Sequence, residues 1–406
     1  MKATNLKVTL LPHTPFLLEN GKFDLKRAML YQGQIGGICY NEDGLMASFA
    51  EDEAKTERRV NMTTSGEHQS VFEHVNIGLY LQNSPKFLNM ILNNEHQFST
   101  SERSLRYTTI KEGELPREMV QIYNKWNEIF FNKIKSAYGD IKSDKQIMKL
   151  AMENSRYLMP VTIPTEMVHT IPLAQLNRIV KYLMDYSENG INGEKDNLYY
   201  QMVPHIDEFV RQLREEANVI DDRLLSNRKH RGLSIFGKDL ANTEKYFGDV
   251  YSTVYEGSFA QLAQAHRHRT IYYQMERNTK EGIDYYVPPI IEDDLSLIEE
   301  WLTDTYHLIV KFDCVPQSEK VLISEKGTFE NFTMKMKERL CSAAQLEVAD
   351  QTTDTRNEYY ENLVVYSSPK ADEMKKYMNG ARCTFPDYDC PKDCGFKEGK
   401  VLTRKI

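Results

Sequence analysis

The sequence predicts an α+β fold, in which mixed sheets pack against long helices, and three observations lead to this expectation. Residues 6–11 have the partial apolar alternation of a strand. Residues 118–135 carry apolar side chains at helical spacing on one face. The order of strand and helix returns in the second half, where residues 249–255 predict a strand and residues 259–266 a helix. We therefore expect two similar halves within the 406 residues.

The remaining elements are predicted in chain order from local signals. In the first half the predicted elements are a helix over residues 24–31, a strand from about residue 75 that ends near Pro85, and a helix over residues 86–94. The Gly- and Asn-rich residues 187–196 predict a loop, and a helix over residues 206–215 follows. In the second half we expect a helix over residues 293–311 and a final long helix over residues 332–346.

The composition excludes several classes of protein. Hydrophobic residues make up 41% and charged residues 27% of the chain, values typical of a globular protein and not of a disordered chain, a collagen or a coiled-coil rod. The net charge of −8 provides no general attraction to nucleic acid or to an anionic membrane, so any phosphate site must be a local arginine cluster. No run approaches the roughly 18 apolar residues of a membrane span, and the first residues do not resemble a signal peptide. We therefore expect a cytoplasmic protein without a nucleic-acid or membrane partner.

The six cysteines do not form the pattern of a disulfide framework. Only Cys383, Cys390 and Cys394 lie close together in the sequence. Three thiolates could bind zinc if a fourth ligand joined them, but the segment lacks a close Cys-x2-Cys pair. Cysteines without a metal explain the segment equally well, and no metal site is predicted.

Two motifs in the first half resemble one known family. Residues 66–74 read Gly-Glu-His-Gln-Ser-Val-Phe-Glu-His, and residues 101–107 read Ser-Glu-Arg-Ser-Leu-Arg-Tyr. Their order and spacing are similar to those of the flavin-dependent thymidylate synthases, whose pattern is His-x-Ser/Thr-x-Phe-Glu-His, then Arg-His-Arg, then Glu-x-Ser-x-Arg-Tyr. Further matches are residues 10–15, 38–40 and 156–160. The Arg-His-Arg triplet is missing from the first half, where residues 94–96 read Asn-Glu-His.

The second half carries the motifs that the first half lacks. Arg267-His268-Arg269 supplies the triplet, and Arg339 precedes an Ala-Gln-Leu-Glu-Val segment at residues 344–348 that resembles the end of the family domain. The Glu-x-Ser-x-Arg-Tyr motif is absent there. We interpret the chain as a diverged tandem duplication, with one thymidylate-synthase-like repeat at residues 1–215 and a second, with the cysteine-containing tail, at residues 216–406.

In the family the nucleotide site forms between subunits, and the resemblance divides its residues between the two halves here. The second half supplies Gln264, Arg267 and Arg339. The first half supplies Glu102, Ser104, Leu105, Arg106 and Arg156. Each half has kept the contribution that the other half lost, so the sequence predicts one composite site formed by both repeats. Since the family is a homotetramer, a homodimer of two-repeat chains is expected.

The chemistry of these side chains suits a pyrimidine nucleotide. Arginine forks and a hydroxyl suit a phosphate, which makes Ser104, Arg106 and Arg156 the phosphate candidates. The Gln264 amide can pair with a uracil edge, and the guanidinium of Arg339, the catalytic candidate, would favour an N3-ionised ring that attacks through C5.

The resemblance also implies the reaction and its cofactors. In the family, FAD relays the methylene of methylenetetrahydrofolate to C5 of dUMP and returns a hydride, NADPH reduces the flavin, and the product is dTMP. The positions that match flavin contacts are His68, Ser70, Arg267, His268 and Arg269.

Simpler explanations accompany these assignments. An Arg-His-Arg on a helix can be a solvated face, His74 fits a core histidine better than a ligand-binding one, and Arg156 could cap a helix C-terminus. The Asn-x-Arg that the family places near the flavin adenine is replaced by Pro-Leu-Ala at residues 172–174 and by Thr-Phe-Glu at residues 328–330. Two alternatives therefore stay open: a related C5 modification such as hydroxymethylation, or an inactive nucleotide-binding paralogue.

Overall fold

A computed structural model describes residues 4–110, 113–191, 193–277, 282–391 and 404–406. The strands are β1 Lys7–Leu10, β2 Asn76–Pro85, β3 Ser99–Glu102, β4 Pro164–Pro172, β5 Tyr246–Phe247, β6 Val250–Ser258, β7 Tyr272–Glu276 and β8 Lys320–Thr328. The α-helices are α1 Leu25–Gly36, α2 Gly44–Phe49, α3 Glu53–Ser65, α4 Lys86–Asn94, α5 Arg117–Tyr138, α6 Asp144–Ser155, α7 Leu173–Asn189, α8 Asn197–Arg211, α9 Phe259–Ala265, α10 Leu295–Phe312, α11 Phe329–Arg339, α12 Leu346–Val365 and α13 Lys370–Met374. The predicted α+β class is confirmed.

The chain divides into two compact units, and both are discontinuous in sequence. The first unit comprises Met1–Arg103 and Thr162–Ser234, and the second comprises Ser104–Val161 and Ile235–Ile406. Residues 104–161, with α5 and α6, therefore belong to the same unit as the C-terminal part of the chain. The predicted repeat boundary after residue 215 concerns sequence similarity and stays a prediction.

The first unit is built on a four-stranded antiparallel sheet with the order β1-β2-β4-β3. Helix α4 begins directly after β2, and α7 begins directly after β4. Alternate residues of β2, among them Ile77, Leu79 and Leu81, point into the core, as the period of two in a strand requires. The apolar faces of α4 and α7 cover this side of the sheet and complete the core.

The second unit repeats this arrangement with its own sheet, in the order β5-β6-β8-β7, again antiparallel throughout. Helix α9 follows β6 directly and α11 follows β8 directly, as α4 and α7 follow their strands in the first unit. Aromatic and aliphatic side chains from β6, α11 and α12 form one buried cluster, which includes Tyr251, Phe332 and Tyr359.

Helices α5 and α10 of the second unit meet through their aromatic residues. The ring of Trp126 meets that of Trp301 edge-on at 4.9 Å between centroids, and Phe130 contacts Trp301 at 5.5 Å. The Trp126 indole N–H donates to Asp304 at 2.8 Å, so the buried polar atom of this ring is satisfied. The apolar stripe predicted on residues 118–135 is thus a packing face.

Three predicted elements differ from the structure. The helix expected over residues 206–215 begins earlier than predicted, since α8 runs from Asn197 to Arg211. The helix expected over residues 332–346 is wrong, because α11 ends at Arg339 and α12 starts only at Leu346. Leu340, just after α11, has a non-helical ψ of 63°, so the chain leaves the helical path there. Gln345, the N-cap of α12, has an extended backbone with ψ of 140°, and its side chain is bonded to two other residues of the unit. The expected loop at 187–196 is shorter than predicted, since α7 continues to Asn189 and ends at Gly190 with a positive φ of 68°.

Two further observations concern membranes and metals. Within the described ranges, every helix is too short or too polar to cross a lipid bilayer. Cys394 lies outside the described residues, whereas Cys383 and Cys390 are exposed. In the part of the chain that the structure covers, His, Cys, Asp and Glu side chains form no group that could hold a metal ion.

Candidate functional site

Arg106 lies at the centre of the predicted site residues of the second unit. Its guanidinium donates to the Gln264 side-chain oxygen at 3.3 Å and to the Ala343 carbonyl oxygen at 2.8 Å. It also forms an ion pair with Glu153, and both side chains are less than a tenth exposed. Arg106 of the Glu-x-Ser-x-Arg-Tyr motif and Gln264 of α9 are therefore in direct contact, although they are 158 residues apart in the sequence.

The turn at residues 104–108 orients Arg106. The backbone N–H groups of Tyr107 and Thr108 both donate to the Ser104 carbonyl oxygen, at 3.0 and 3.1 Å. The Ser104 hydroxyl accepts from the Arg106 backbone N–H at 3.3 Å. The half-buried Leu105 lies within the same turn. This local hydrogen bonding is typical of serine in turns and fixes the direction in which Arg106 leaves the chain.

Arg156 follows α6 and is also buried. It occupies the C-cap position of that helix, as the capping explanation expected, but its side chain donates to the Gln345 side-chain oxygen at 2.8 Å. Burial lowers the pKa of Arg156, the Glu153 carboxylate opposes this change, and the charges of Arg106 and Arg267 add to it. Arg156 is therefore within electrostatic range of both other guanidinium groups.

Arg339 and His268 form a bonded pair in the second unit. The Arg339 Nε–H donates to His268 Nε2 at 2.5 Å, and its Nη2 group donates to the Gln264 carbonyl oxygen at 3.5 Å. Burial, together with the positive charges of Arg339 and Lys335, lowers the pKa of His268 to about 2. The imidazole is therefore neutral, with Nε2 as the acceptor and the Nδ1 proton directed towards Glu338, 3.5 Å away.

The other two residues of the triplet have different surroundings. Arg267 and Arg269 are both exposed, whereas His268 between them is buried. The triplet is therefore not one uniform solvated face. Its histidine is part of the buried hydrogen-bond system, and its two arginines lie at the surface of the unit.

A buried network holds Arg156 and α9 in place. The Tyr157 hydroxyl donates to the Glu347 carboxylate at 2.8 Å, and Ser258 donates to it through both its backbone N–H, at 2.8 Å, and its hydroxyl, at 2.6 Å. Gln345 bonds the same tyrosine hydroxyl. Ser258 is also the N-cap of α9 and accepts from the Gln261 N–H at 3.0 Å, so the network fixes the helix that carries the glutamine of the site.

The first unit contains the other three predicted residues. Glu102 accepts from the Lys86 ammonium at 2.6 Å and from the Asn89 side chain at 2.9 Å. His68 and Ser70 line a cavity with a volume of about 490 Å³. Three of the predicted site residues therefore lie in the first unit: Glu102, His68 and Ser70. The other nine lie in the second unit: Ser104, Leu105, Arg106, Arg156, Gln264, Arg267, His268, Arg269 and Arg339.

Sequence reasoning missed two groups that the site depends on. Glu153 precedes Arg156 by three residues on α6, a spacing that was available as a signal but is common on any amphipathic helix. Lys335 is fully buried and donates to Glu325 at 2.6 Å and to Gln351 at 2.9 Å. The sequence of α11 gives no sign of a buried lysine, because its charged residues look like those of a solvated face.

The replaced Asn-x-Arg segments have a structural role. Pro172 and Thr328 each occupy the N-cap position of the helix that follows, α7 and α11 respectively. The Thr328 hydroxyl accepts from the Asn331 N–H at 3.2 Å, as a capping threonine does.

One protein family matches part of the chain. Residues 32–192 match the model of the family described as thymidylate synthase complementing protein. The resemblance inferred from the sequence motifs is confirmed over that stretch. No curated protein matches the sequence.

Two solved structures show a distant likeness. One is a UMP/dUMP methylase, PolB from Streptomyces cacaoi, bound with 5-Br dUMP, at 15% identity over 44% of this chain and 78% of that chain, with a TM-score of 0.28. The other is the same methylase bound with 5-Br UMP, at 11% identity over 55% of this chain and 94% of that chain, with a TM-score of 0.32.

Proposed function

We propose that this chain, whose residues 32–192 belong to the thymidylate synthase complementing protein family, modifies pyrimidine nucleotides at C5. The reaction that the family implies is the methylation of dUMP to dTMP, with methylenetetrahydrofolate as carbon donor, FAD as cofactor and NADPH as reductant. One observation carries the proposal: Arg106, Arg156 and Gln264, which come from distant parts of the sequence, lie in one compact unit with Arg339 and Arg267.

The cluster of guanidinium groups supports the binding of a phosphate dianion. Burial lowers the pKa of both Arg156 and Arg339, so each cation is held away from water at an energetic cost. Glu153 supplies a carboxylate to Arg106 and acts on Arg156 as well. A buried guanidinium group gains from a further anionic partner, and a nucleotide phosphate has the charge and the acceptor oxygens for this.

Gln264 and Arg339 are proposed to act on the pyrimidine ring. The Gln264 amide can donate and accept at a uracil edge, and its oxygen already meets Arg106. Arg339, the proposed catalytic residue, would stabilise the negative charge that develops on the ring as C5 becomes nucleophilic. Its bond to the neutral His268 fixes the guanidinium without cancelling its charge.

The flavin is proposed to contact His68, Ser70, Arg267, His268 and Arg269. His68 and Ser70 line a cavity that also carries cationic side chains, which suits a diphosphate-containing cofactor. His268 fits less well, because its Nε2 accepts from Arg339 and its ring is buried. When bound, the flavin supplies the transfer of the one-carbon unit and of a hydride, while the protein binds and orients the reactants.

The two sheets support the proposed tandem duplication. Both have the strand order first-second-fourth-third, and in both a helix follows the second and the fourth strand directly. Two repeats at residues 1–215 and 216–406 would give this agreement. The composite site then depends on residues 104–161, which the first repeat contributes to the second unit. A homodimer of such chains in the cytoplasm completes the proposal.

Tritium release tests the reaction. Purified protein is incubated with FAD, NADPH, methylenetetrahydrofolate and [5-³H]dUMP, and the product is identified by mass. Release of tritium with formation of dTMP supports the proposal, and the variant Arg339→Gln should abolish release while dUMP still binds.

Two other outcomes would replace the proposal by its alternatives. A product heavier than dTMP by one oxygen atom would indicate hydroxymethylation. Binding of dUMP without any release of tritium would indicate an inactive nucleotide-binding paralogue. Both alternatives are tested because the Asn-x-Arg that the family places near the flavin adenine is replaced here, and the replacing segments cap helices.

A further inference from the structure

The connection between α11 and α12, residues 340–345, holds two of the phosphate candidates. The Ala343 carbonyl oxygen accepts from Arg106 at 2.8 Å, and the Gln345 side-chain oxygen accepts from Arg156 at 2.8 Å. Both arginines are less than a tenth exposed. The position of this connection therefore helps to decide where the two guanidinium groups point.

Arg404 bonds this connection from a distant part of the sequence. Its Nη2 group donates to the Ala344 carbonyl oxygen at 2.7 Å and to the Cys341 carbonyl oxygen at 3.3 Å. The Ala344 backbone N–H donates to the same Cys341 carbonyl oxygen at 3.0 Å, which closes the turn. Arg404 is itself buried, at 6% exposure. Its guanidinium thus fixes both ends of the turn whose Ala343 carbonyl bonds Arg106.

The segment 404–406 packs against the second unit. Ile406 is 2% exposed, and its carbonyl oxygen accepts from Arg404 Nη1. The backbone N–H of Lys405 donates to the hydroxyl of Tyr138, the last residue of α5, at 3.0 Å. These contacts restrict the rotation of the Arg404 side chain, so its two bonds to the turn are preorganised.

The charge of Arg404 also acts on the carboxylate that pairs with Arg106. Burial lowers the pKa of Arg404, and the negative charges of Glu153 and Asp350 oppose this change. Glu153 forms the ion pair with Arg106 and acts on Arg156 as well. Because Arg404 offsets part of the Glu153 charge, more of the positive charge of Arg106 and Arg156 remains for an anion.

We propose that Arg404 is a positioning residue of the nucleotide site, which acts on the phosphate through Arg106 and Arg156. It holds the turn that orients both guanidinium groups and shares their carboxylate. The motifs that resemble the family end at residue 348, so they give no sign of a role for residue 404. The inference rests on the proposed function, because it requires the nucleotide phosphate to meet these two arginines.

Calorimetric titration of the full-length chain with dUMP tests the proposal. The test variant is Arg404→Gln. Arg404→Lys keeps the charge and can donate to one of the two carbonyl groups, so it carries the test if the first variant does not fold. The matched control is Lys405→Gln, which removes the surface ion pairs with Glu292 and Asp293 and leaves the backbone bond to Tyr138 in place.

Arg404→Gln should bind dUMP more weakly by roughly 5- to 30-fold, as expected for a residue that acts through others. Arg404→Lys should lie between this variant and the wild-type chain, and the control should stay within about two-fold of the wild-type chain. The number of binding sites per chain should not change. A purely structural role would instead lower the number of competent chains and leave the affinity of the folded ones unchanged.

A double-mutant cycle with Arg106→Lys tests the route of the effect. This substitution keeps a cation beside Glu153 but removes the guanidinium that bonds the Ala343 carbonyl oxygen. If Arg404 acts through Arg106, Arg404→Gln should weaken dUMP binding less in the Arg106→Lys chain than in the wild-type chain.

Three results would overturn the proposal: an unchanged affinity in the Arg404 variants, an equal loss in the control, or fully additive losses in the cycle. Each of them leaves the proposed function intact, because the wild-type chain still binds dUMP. A wild-type chain that does not bind dUMP would overturn the proposed function, and the role of Arg404 would be lost with it.

Discussion

The ion pair between Arg106 and Glu153 allows the effect of a substitution on folding to be separated from its effect on ligand binding. Arg106→Gln leaves the Glu153 carboxylate buried without its cation, which should cost about 3–5 kcal/mol of unfolding free energy. The double variant Arg106→Gln with Glu153→Gln removes both charges. Its remaining loss should be about 1–2 kcal/mol, from the lost bonds to Gln264 and the Ala343 carbonyl oxygen.

The two variants should differ in stability but should bind dUMP with a similarly weakened affinity. If Arg106 binds the phosphate, either variant loses a charged hydrogen bond of about 1.5–3 kcal/mol, which is roughly a 10- to 150-fold weaker affinity. The double variant should therefore recover most of the stability of the protein and none of its affinity.

Urea unfolding and calorimetric titration with dUMP measure the two quantities on the wild-type chain, both single variants and the double variant. Lys145→Gln is the matched control, since this exposed lysine lies on α6 with Glu153. A double variant that binds dUMP as tightly as the wild-type chain would refute the reasoning, because Arg106 would then act only as the partner of Glu153.

Three further predictions concern groups around the site. Lys335→Met should cost about 3–5 kcal/mol by urea unfolding, because the buried Glu325 carboxylate loses its cation and keeps only the hydroxyls of Tyr251 and Tyr255, and Glu325→Gln in the same chain should restore most of the loss. The depressed pKa of His268, about 2 against 6.5 for the unfolded chain, means that only the unfolded state gains a proton below about pH 6. Below about pH 6 the contribution of His268 to the unfolding free energy should therefore fall by about 1.4 kcal/mol for each unit by which the pH is lowered. Urea unfolding between pH 7 and 5 should show this loss in the wild-type chain and not in His268→Gln. Ser258→Ala should lower the unfolding free energy by about 1–2 kcal/mol through the lost N-cap and the lost hydroxyl bond to Glu347, and should weaken dUMP binding through α9.

Each of these predictions has a contrary result. A fully additive loss in the Lys335 and Glu325 double variant would mean that the two side chains do not act as a pair. An identical pH dependence of stability in the wild-type chain and His268→Gln would mean that the histidine titrates normally. Unchanged dUMP binding in a destabilised Ser258→Ala would separate the capping of α9 from the site.

The sequence predicted the local elements well where periodicity and breakers agree. Helix α4 was predicted with its observed bounds, because Pro85 ends the strand before it and its apolar residues recur at helical spacing. The end of α11 could not be predicted in this way. The chain leaves the helix at Leu340, and the segment that follows carries Gln345, whose side chain bonds Tyr157 and Arg156 about 190 residues away.

The residues of the candidate site were found by motif, and their partners were not. Arg106 and Gln264 belong to recognisable motifs, whereas Glu153 and Lys335 look like ordinary surface charges. Their burial results from pairing between elements far apart in sequence, which local periodicity does not record. The assignment of residues 104–161 to the second unit has the same cause, since no change in composition marks either end of that segment.

The discontinuous second unit has a consequence for synthesis on the ribosome. Helix α5 emerges early, yet Asp304, the acceptor for its Trp126, lies 178 residues later in the chain. At 5–20 residues per second, roughly 10–35 s pass before that partner is made. During this interval the face of α5 that carries Trp126 and Phe130 has no native partner from α10. Slow translation or truncation after about residue 290 should therefore reduce the yield of folded protein more than truncation within the last residues would.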